Sequence, residues 1–339
     1  MRARRLRAGL RGWGGVGAMA LVCALAAVFA LLLPLTQQQH DGSTGVGGPG
    51  LAEGTRVRAE DCEAPQDRSL APSGAEGASV AAIRQRGYLS VGVDQNSFRW
   101  GYRNPNSTAR TVQLEGFDID LARRIADDLL GSPDKIRFKA IPTNQRVPAI
   151  KSGRVDLVVR TMTITCSRLK DVAFSAPYFL TGQQVLAPVS SGVKGYDGSL
   201  AGRRICSAAG STAHDKLDAD KKAGKLDASA DISTTVPNQL DCLVRLQLGE
   251  VDAVVTDGAL AASQAAQDPT VELKGRRFTT EYYGVAMNQK ATDLVRRVNR
   301  ILEQYRTDPD GWRASYDKWL RPTLGADSES ATPPVPKYK

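Results

Sequence analysis

The 339-residue sequence predicts an α/β protein of two similar lobes, and three observations carry that prediction. Strand-like and helix-like stretches alternate from about residue 80 to 322, the pattern of α/β layers. A short motif occurs twice: Gly153-Arg154-Val155-Asp156-Leu157-Val158-Val159-Arg160 in the first half and Gly249-Glu250-Val251-Asp252-Ala253-Val254-Val255-Thr256 in the second. Each copy puts a glycine stop after a helical stretch and then enters a β-branched strand. Finally, 42% hydrophobic and 24% charged residues at this length allow about two packed cores and exclude a disordered, collagenous or multi-span membrane chain.

In chain order, residues 1–15 form a basic start with Arg2, Arg4, Arg5, Arg7 and Arg11 and no acid. Residues 16–35 carry no charge; at 1.5 Å per residue they would span about 30 Å, enough for a bilayer core. Leu31, Leu32 and Leu33 follow the nearest small residues, so an uncleaved anchor is favoured over a cleaved signal, with the chain on the extracytoplasmic side in either case. Residues 36–79, rich in Gly, Ala, Pro and acids, read as a flexible spacer. Residues 89–93 read as a strand, 117–130 as a helix with Leu121, Ile125 and Leu129 on one face, 136–141 as a strand, and the next helix ends near Gly153. Ile205, Cys206 and Ser207 lead into Gly210-Ser211-Thr212 and a helix from Ala213; residues 323–339 read as a Pro-rich disordered tail.

The formal charge of +9 divides unevenly. Five positive charges sit in the start and the spacer is net −4, which leaves +8 on residues 80–339, spread among acids and without a nucleic-acid motif. No nucleic-acid partner is expected. With Cys23 in the apolar run, Cys62, Cys166, Cys206 and Cys242 remain on the oxidising side, where three pairings are open. None forms a Cys-x-x-Cys, and the chain's two histidines, His40 and His214, argue against a zinc centre or a Ser-His-Asp triad; no cofactor is expected.

Open α/β sheets bind ligands beyond the carboxyl ends of their strands. The repeated strands end in Arg160-Thr161 and in Thr256-Asp257, opposite charges suited to a ligand with a carboxylate and an ammonium group. Residues 210–212 open a helix whose N–H groups suit an anion. Asp94 ends the first strand, and Phe98 and Trp100 follow as candidate walls.

Four ordered segments carry a family resemblance: Gly116-Phe117-Asp118-Ile119-Asp120-Leu121, Thr163-Ile164-Thr165 with Arg168, Phe174-Ser175-Ala176-Pro177-Tyr178, and residues 251–257. Together they resemble the polar amino-acid branch of the extracytoplasmic solute-binding proteins, family 3. The four exported cysteines, Asp241-Cys242-Leu243-Val244 and the Pro-rich end look most like actinobacterial glutamate-binding proteins of the GlnH type. The resemblance implies a two-lobed periplasmic-binding-protein-like (type II) fold, with hinge crossings near residues 178–182 and 279–283. Lobe 1 would take residues 80–180 and 284–322, and lobe 2 residues 181–283.

By the same resemblance the ligand is L-glutamate or aspartate, delivered to an ABC transporter permease or reported to a membrane sensor protein. Arg168 is then expected to grip the α-carboxylate, helped by Thr163, Thr161, Ser211 and Thr212, with Asp257 on the α-ammonium. A buried side-chain carboxylate needs a second cation. Arg160 is the first candidate, then Arg146 and Arg99. One disulfide per lobe is expected, Cys62–Cys166 and Cys206–Cys242, because a bridge between lobes would restrain closure. The rival function is a cyclohexadienyl-dehydratase-like enzyme on the same fold; Arg168 and Asp257 are accounted for without turnover, so a non-enzymatic receptor is preferred.

Overall fold

The described chain builds two five-stranded sheets, each around parallel strands, and the two copies of the repeated motif occupy equivalent places in them. The structure, a computed structural model, describes residues 62–106 and 113–339. The first α-helix among the described residues, α1 (Ala78–Arg86), stops at Gly87 in the left-handed region. Strand β1 (Leu89–Val93) is buried at every residue, as a central parallel strand must be. Three short strands, β2 (Asn96–Ser97), β3 (Gly101–Arg103) and β4 (Leu114–Glu115), form a small antiparallel sheet. Helix α2 (Phe117–Leu130) buries Leu121, Ile125 and Leu129 at its predicted spacing, with Asp118 and Asp120 in its first turn.

Next come β5 (Ile136–Ala140), α3 (Arg146–Lys151), β6 (Leu157–Val158), α4 (Cys166–Leu169) and β7 (Ala173–Phe174). Strand β8 (Phe179–Thr181) leads into the second half. That half contains β9 (Gln183–Pro188), β10 (Arg204–Ala208), α5 (Thr212–Lys222), β11 (Asp231–Val236), α6 (Gln239–Gln247), β12 (Ala253–Asp257), α7 (Gly258–Ala265) and β13 (Val271–Lys274). The chain returns through β14 (Glu281–Tyr283) to β15 (Ala286–Met287), α8 (Thr292–Thr307), α9 (Trp312–Trp319) and α10 (Arg321–Leu324).

The first sheet has the order β5-β1-β6-β15-β7 and the second β11-β10-β12-β9-β13. In the first, β1 runs parallel to β5 and β6. In the second, β10 runs parallel to β11 and β12. Gly153 and Gly249 both hold positive φ, 68° and 69°, as stops before β6 and β12, so the sequence echo is one αβ unit used twice. Strands β8 and β14 pair antiparallel with each other and carry the chain between the sheets in both directions. Beneath them Trp100, Phe117, Phe179, Tyr283 and Trp312 interlock edge to face or stacked, and the Trp312 indole N–H donates to the Tyr178 carbonyl at 2.7 Å. Trp100 is fully buried in this cluster, so the expected cleft wall is a piece of core.

Both disulfides form one to a lobe: Cys62–Cys166 fastens the segment before α1 to the start of α4, and Cys206–Cys242 ties β10 to α6. Two expectations about loose segments are corrected. Residues 62–77 do not hang free; the Ser69 hydroxyl is buried and donates to the Phe174 carbonyl at 2.8 Å, and Ser73 N donates to Arg296 O. Residues 323–339 are also laid down on the protein, because Ser330 and Ala331 are buried and Tyr338 bridges to Ser69. The predicted basic start at 1–15, the anchor at 16–35 and the spacer up to residue 61 lie outside the described residues. Among the described residues no helix is long and apolar enough to cross a membrane.

Candidate functional site

The strand ends of the two sheets face each other, and the charged residues gathered there come from both lobes. Arg168 is aimed by its own helix start: Thr165 caps α4 by accepting from the Arg168 N–H at 3.2 Å. The Arg168 guanidinium then donates to the Thr163 carbonyl at 2.7 Å and, across the cleft, to the Gly210 carbonyl at 3.1 Å. Arg146, at the first position of α3, is 3% exposed. It donates to the carbonyls of Thr143, Arg160, Thr161 and Gly210. Two arginines thus converge on one carbonyl at the start of α5, and neither has an ion-pair partner among the described residues. Burial holds both guanidiniums below their ordinary pKa, and the neighbouring cations push Arg146 further the same way.

Gly210 is required where it sits. Its φ is 73°, and a Cβ there would lie 2.9 Å from the Asn144 Cα of the opposite lobe. The lobes also meet where Thr143 N donates to Pro237 O at 2.9 Å and Arg160 donates to the Asn238 side chain at 3.0 Å. This is a closed arrangement, its contact surface assembled from both sides.

Asp257 ends β12 and is 7% exposed. Its carboxylate accepts from the Tyr283 hydroxyl at 2.5 Å. Burial, with the negative charge of Glu281 second, raises its pKa to about 7; the Tyr283 hydrogen bond and the charges of Arg168 and Arg146 oppose that rise. Glu281 went unrecognised in the sequence reading, although it lies inside the predicted second crossing. It is 5% exposed and accepts from Gln183, Thr279 and Thr212 at 3.0, 3.1 and 3.2 Å. Thr212 therefore spends its hydroxyl on Glu281, and Ser211 spends its oxygen on capping α5 at His214 N.

Asp118 is a second unrecognised carboxylate, wholly inside the protein. It accepts from the Tyr178 hydroxyl at 2.8 Å and from Thr161 N at 3.0 Å. That second bond holds Thr161 at φ 41°, a left-handed conformation unusual for a β-branched residue. The Thr161 hydroxyl is left buried and unpartnered. Desolvation lifts Asp118 to about 7 despite both hydrogen bonds.

Arg160 and Asp94 are not available in the way expected of them. They form a fully buried ion pair at 2.9 Å. Arg160 also donates to the Thr143 hydroxyl, and Asp94 accepts from Gln95 N, Asn96 N and the Ser97 hydroxyl. Both terminal nitrogens of Arg160 are already engaged by protein, and only its buried Nε is without a partner. Arg99 is turned away, donating to the Trp319 carbonyl. Of the three candidate second cations, Arg146 is the one that points its charge into the cleft, bonded across it to Gly210, with no carboxylate in ion-pair contact. The described residues hold no group of three or more His, Cys, Asp or Glu arranged for a metal.

The family of bacterial extracellular solute-binding proteins, family 3, matches residues 89–322. The chain belongs to that family. Among its relatives are an ABC transporter glutamine-binding protein, GlnH, of Bacillus subtilis (31% identical, covering 72% of this chain and 85% of that protein) and the glutamate-binding protein GluB of Corynebacterium efficiens (27%, covering 75% and 84%). A solved solute receptor for L-cysteine from Neisseria gonorrhoeae superposes with a TM-score of 0.67 at 27% identity, over 76% of this chain and all of that one. This family 3 protein is a solute receptor rather than an enzyme, with a two-lobed α/β fold.

Proposed function

We propose that this chain is an extracytoplasmic receptor that closes its lobes on L-glutamate, with aspartate as second choice, and presents it to an ABC importer. The observation that carries the reading is the pair Arg146 and Arg168, two cations in the closed cleft whose side-chain hydrogen bonds go to main-chain carbonyls and not to carboxylates. A buried charge without a counter-ion is expensive, and a dicarboxylate supplies two. Arg168 takes the α-carboxylate, Asp257 the α-ammonium and Arg146 the side-chain carboxylate. The idle Thr161 hydroxyl supplies a further hydrogen bond to the ligand. Relatives named for glutamine and glutamate support an amino-acid ligand of this size. Residues 16–35 are proposed as the anchor that keeps the receptor at the outer face of the membrane.

Calorimetric titration with Glu, Asp, Gln and Asn tests the reading. Glutamate should bind at least about tenfold more tightly than glutamine, the equivalent of ~1.4 kcal/mol. Absence of binding by all four would sink the assignment, and a preference for glutamine would remove Arg146 from its role.

A further inference from the structure

The segment after α10 crosses the hinge and is fixed on both sides of it. Leaving lobe 1, its Gly325 carbonyl accepts from the Tyr316 hydroxyl at 2.8 Å, and its Ala331 carbonyl accepts from Arg313 at 3.2 Å. Ser330, with 0% of its surface exposed, accepts from the Arg277 guanidinium at 3.1 Å. Arg277 belongs to the run between β13 and β14 that leaves lobe 2. The short turn at Glu329–Ala331 lies against hinge strand β8. Beyond it the chain returns to lobe 1: Lys339 N donates to Ser69 O at 2.9 Å, Lys337 pairs with Asp67 at 3.1 Å and the Tyr338 hydroxyl donates to Glu303 at 3.2 Å.

Arg277 connects this segment to the hinge. A Cβ on Gly182 would sit 3.2 Å from the Arg277 Cβ, and one on Gly258 would sit 3.3 Å from its Nε. The side chain therefore lies over both glycines. They are bonded to each other, Gly258 N donating to Gly182 O at 2.7 Å. Gly182 joins β8 to β9, and Gly258 directly follows Asp257.

We infer that residues 325–339 act as a strap on the hinge, with Ser330 and Arg277 as its positioning residues. By holding Arg277 over the Gly182–Gly258 bond, the strap fixes the backbone that aims Asp257 and favours the closed lobes. Neither residue touches the ligand; they act through the hinge. The effect on affinity rests on the amino-acid-receptor reading, whereas the effect on the hinge does not.

The test compares the full chain with Ser330→Arg, Arg277→Met and a stop after Gly325. Amide hydrogen exchange is followed without ligand, and glutamate binding by stopped flow and calorimetry. Ser330→Arg cannot be seated in a fully buried site and releases the strap without shortening the chain, so the experiment stands if the truncated form does not fold. Exchange at the Gly258 amide should accelerate by about tenfold or more in each folded variant, because opening of that bond becomes local. Glutamate should bind roughly 5- to 20-fold more weakly, through faster dissociation and with an unchanged Glu:Gln ratio. Folded variants with wild-type exchange at Gly258 would overturn the strap. Faster exchange in a protein that binds none of the four amino acids would leave the strap standing and refute the ligand assignment instead.

Discussion

Replacing Arg146 by Met should remove the receptor's preference for glutamate over glutamine. The residue is only 3% exposed, and Met keeps much of the side-chain volume while deleting the charge. Two losses follow, and they can be separated. The carbonyls of Thr143, Arg160, Thr161 and Gly210 lose a shared donor, a penalty common to every ligand that cancels in a ratio. A charge-assisted hydrogen bond to a side-chain carboxylate is worth about 1.5–3 kcal/mol, and only the acidic ligand loses it. Glutamate affinity should therefore fall roughly 10- to 150-fold further than glutamine affinity. Calorimetry of both ligands on both proteins at pH 7.5 gives the ratio directly. An equal loss for the two ligands would show that Arg146 supports the fold of the cleft and does not read the side chain.

Three further outcomes are expected. The ligand ammonium needs Asp257 ionised, and its pKa near 7 means that glutamate Kd should rise about tenfold per pH unit below 7, a dependence that Asp257→Asn should flatten along with abolishing most binding. Stability runs the other way for a carboxylate whose folded pKa is raised: the folded state binds a proton that the unfolded state binds only near pH 4. Asp118 and Asp257 thus contribute stability as pH falls from about 7 toward 4, lost as pH rises through 7, and in the ligand-free protein Asp118→Asn should reduce that gain in a Tm-versus-pH series. Arg160→Met strands Asp94 in the interior and should cost about 3–5 kcal/mol of stability by urea unfolding, while Arg160→Met with Asp94→Asn together should cost less than the single change.

The architecture was readable because it follows from periodicity. Leu121, Ile125 and Leu129 repeat at helical spacing, and Gly153 and Gly249 stop two helices before two β-branched strands; both features report on local backbone and burial, which short stretches of sequence encode. Asp257 could be picked out as the end of a strand, whereas Arg168 was marked only by the family resemblance. The partnership of Arg160 was not legible. Its place at a strand end pointed toward the cleft, but whether its charge is free depends on Asp94, which is 66 residues away in sequence and beside it just past the end of the neighbouring strand. Glu281 and Asp118 escaped notice because their roles arise from convergence, on Thr212, Thr279 and Gln183 in one case and on Tyr178 and Thr161 in the other. Trp100 illustrates the general ambiguity of aromatics: an indole after a strand end serves equally as a cleft wall or as core, and Phe117, Phe179 and Tyr283 claim it for the core. The tail misled through composition, since proline-rich sequence is compatible with a fixed extended strap as well as with disorder.

A structure of the protein with L-glutamate bound tests the central claim most directly. The account predicts one carboxylate within hydrogen-bond distance of Arg168, the other within hydrogen-bond distance of Arg146, and the ammonium on Asp257, with the Gly210 carbonyl released by at least one of the two arginines. Glutamate bound with its side-chain carboxylate in solvent, and Arg146 still donating only to main-chain carbonyls, would contradict it.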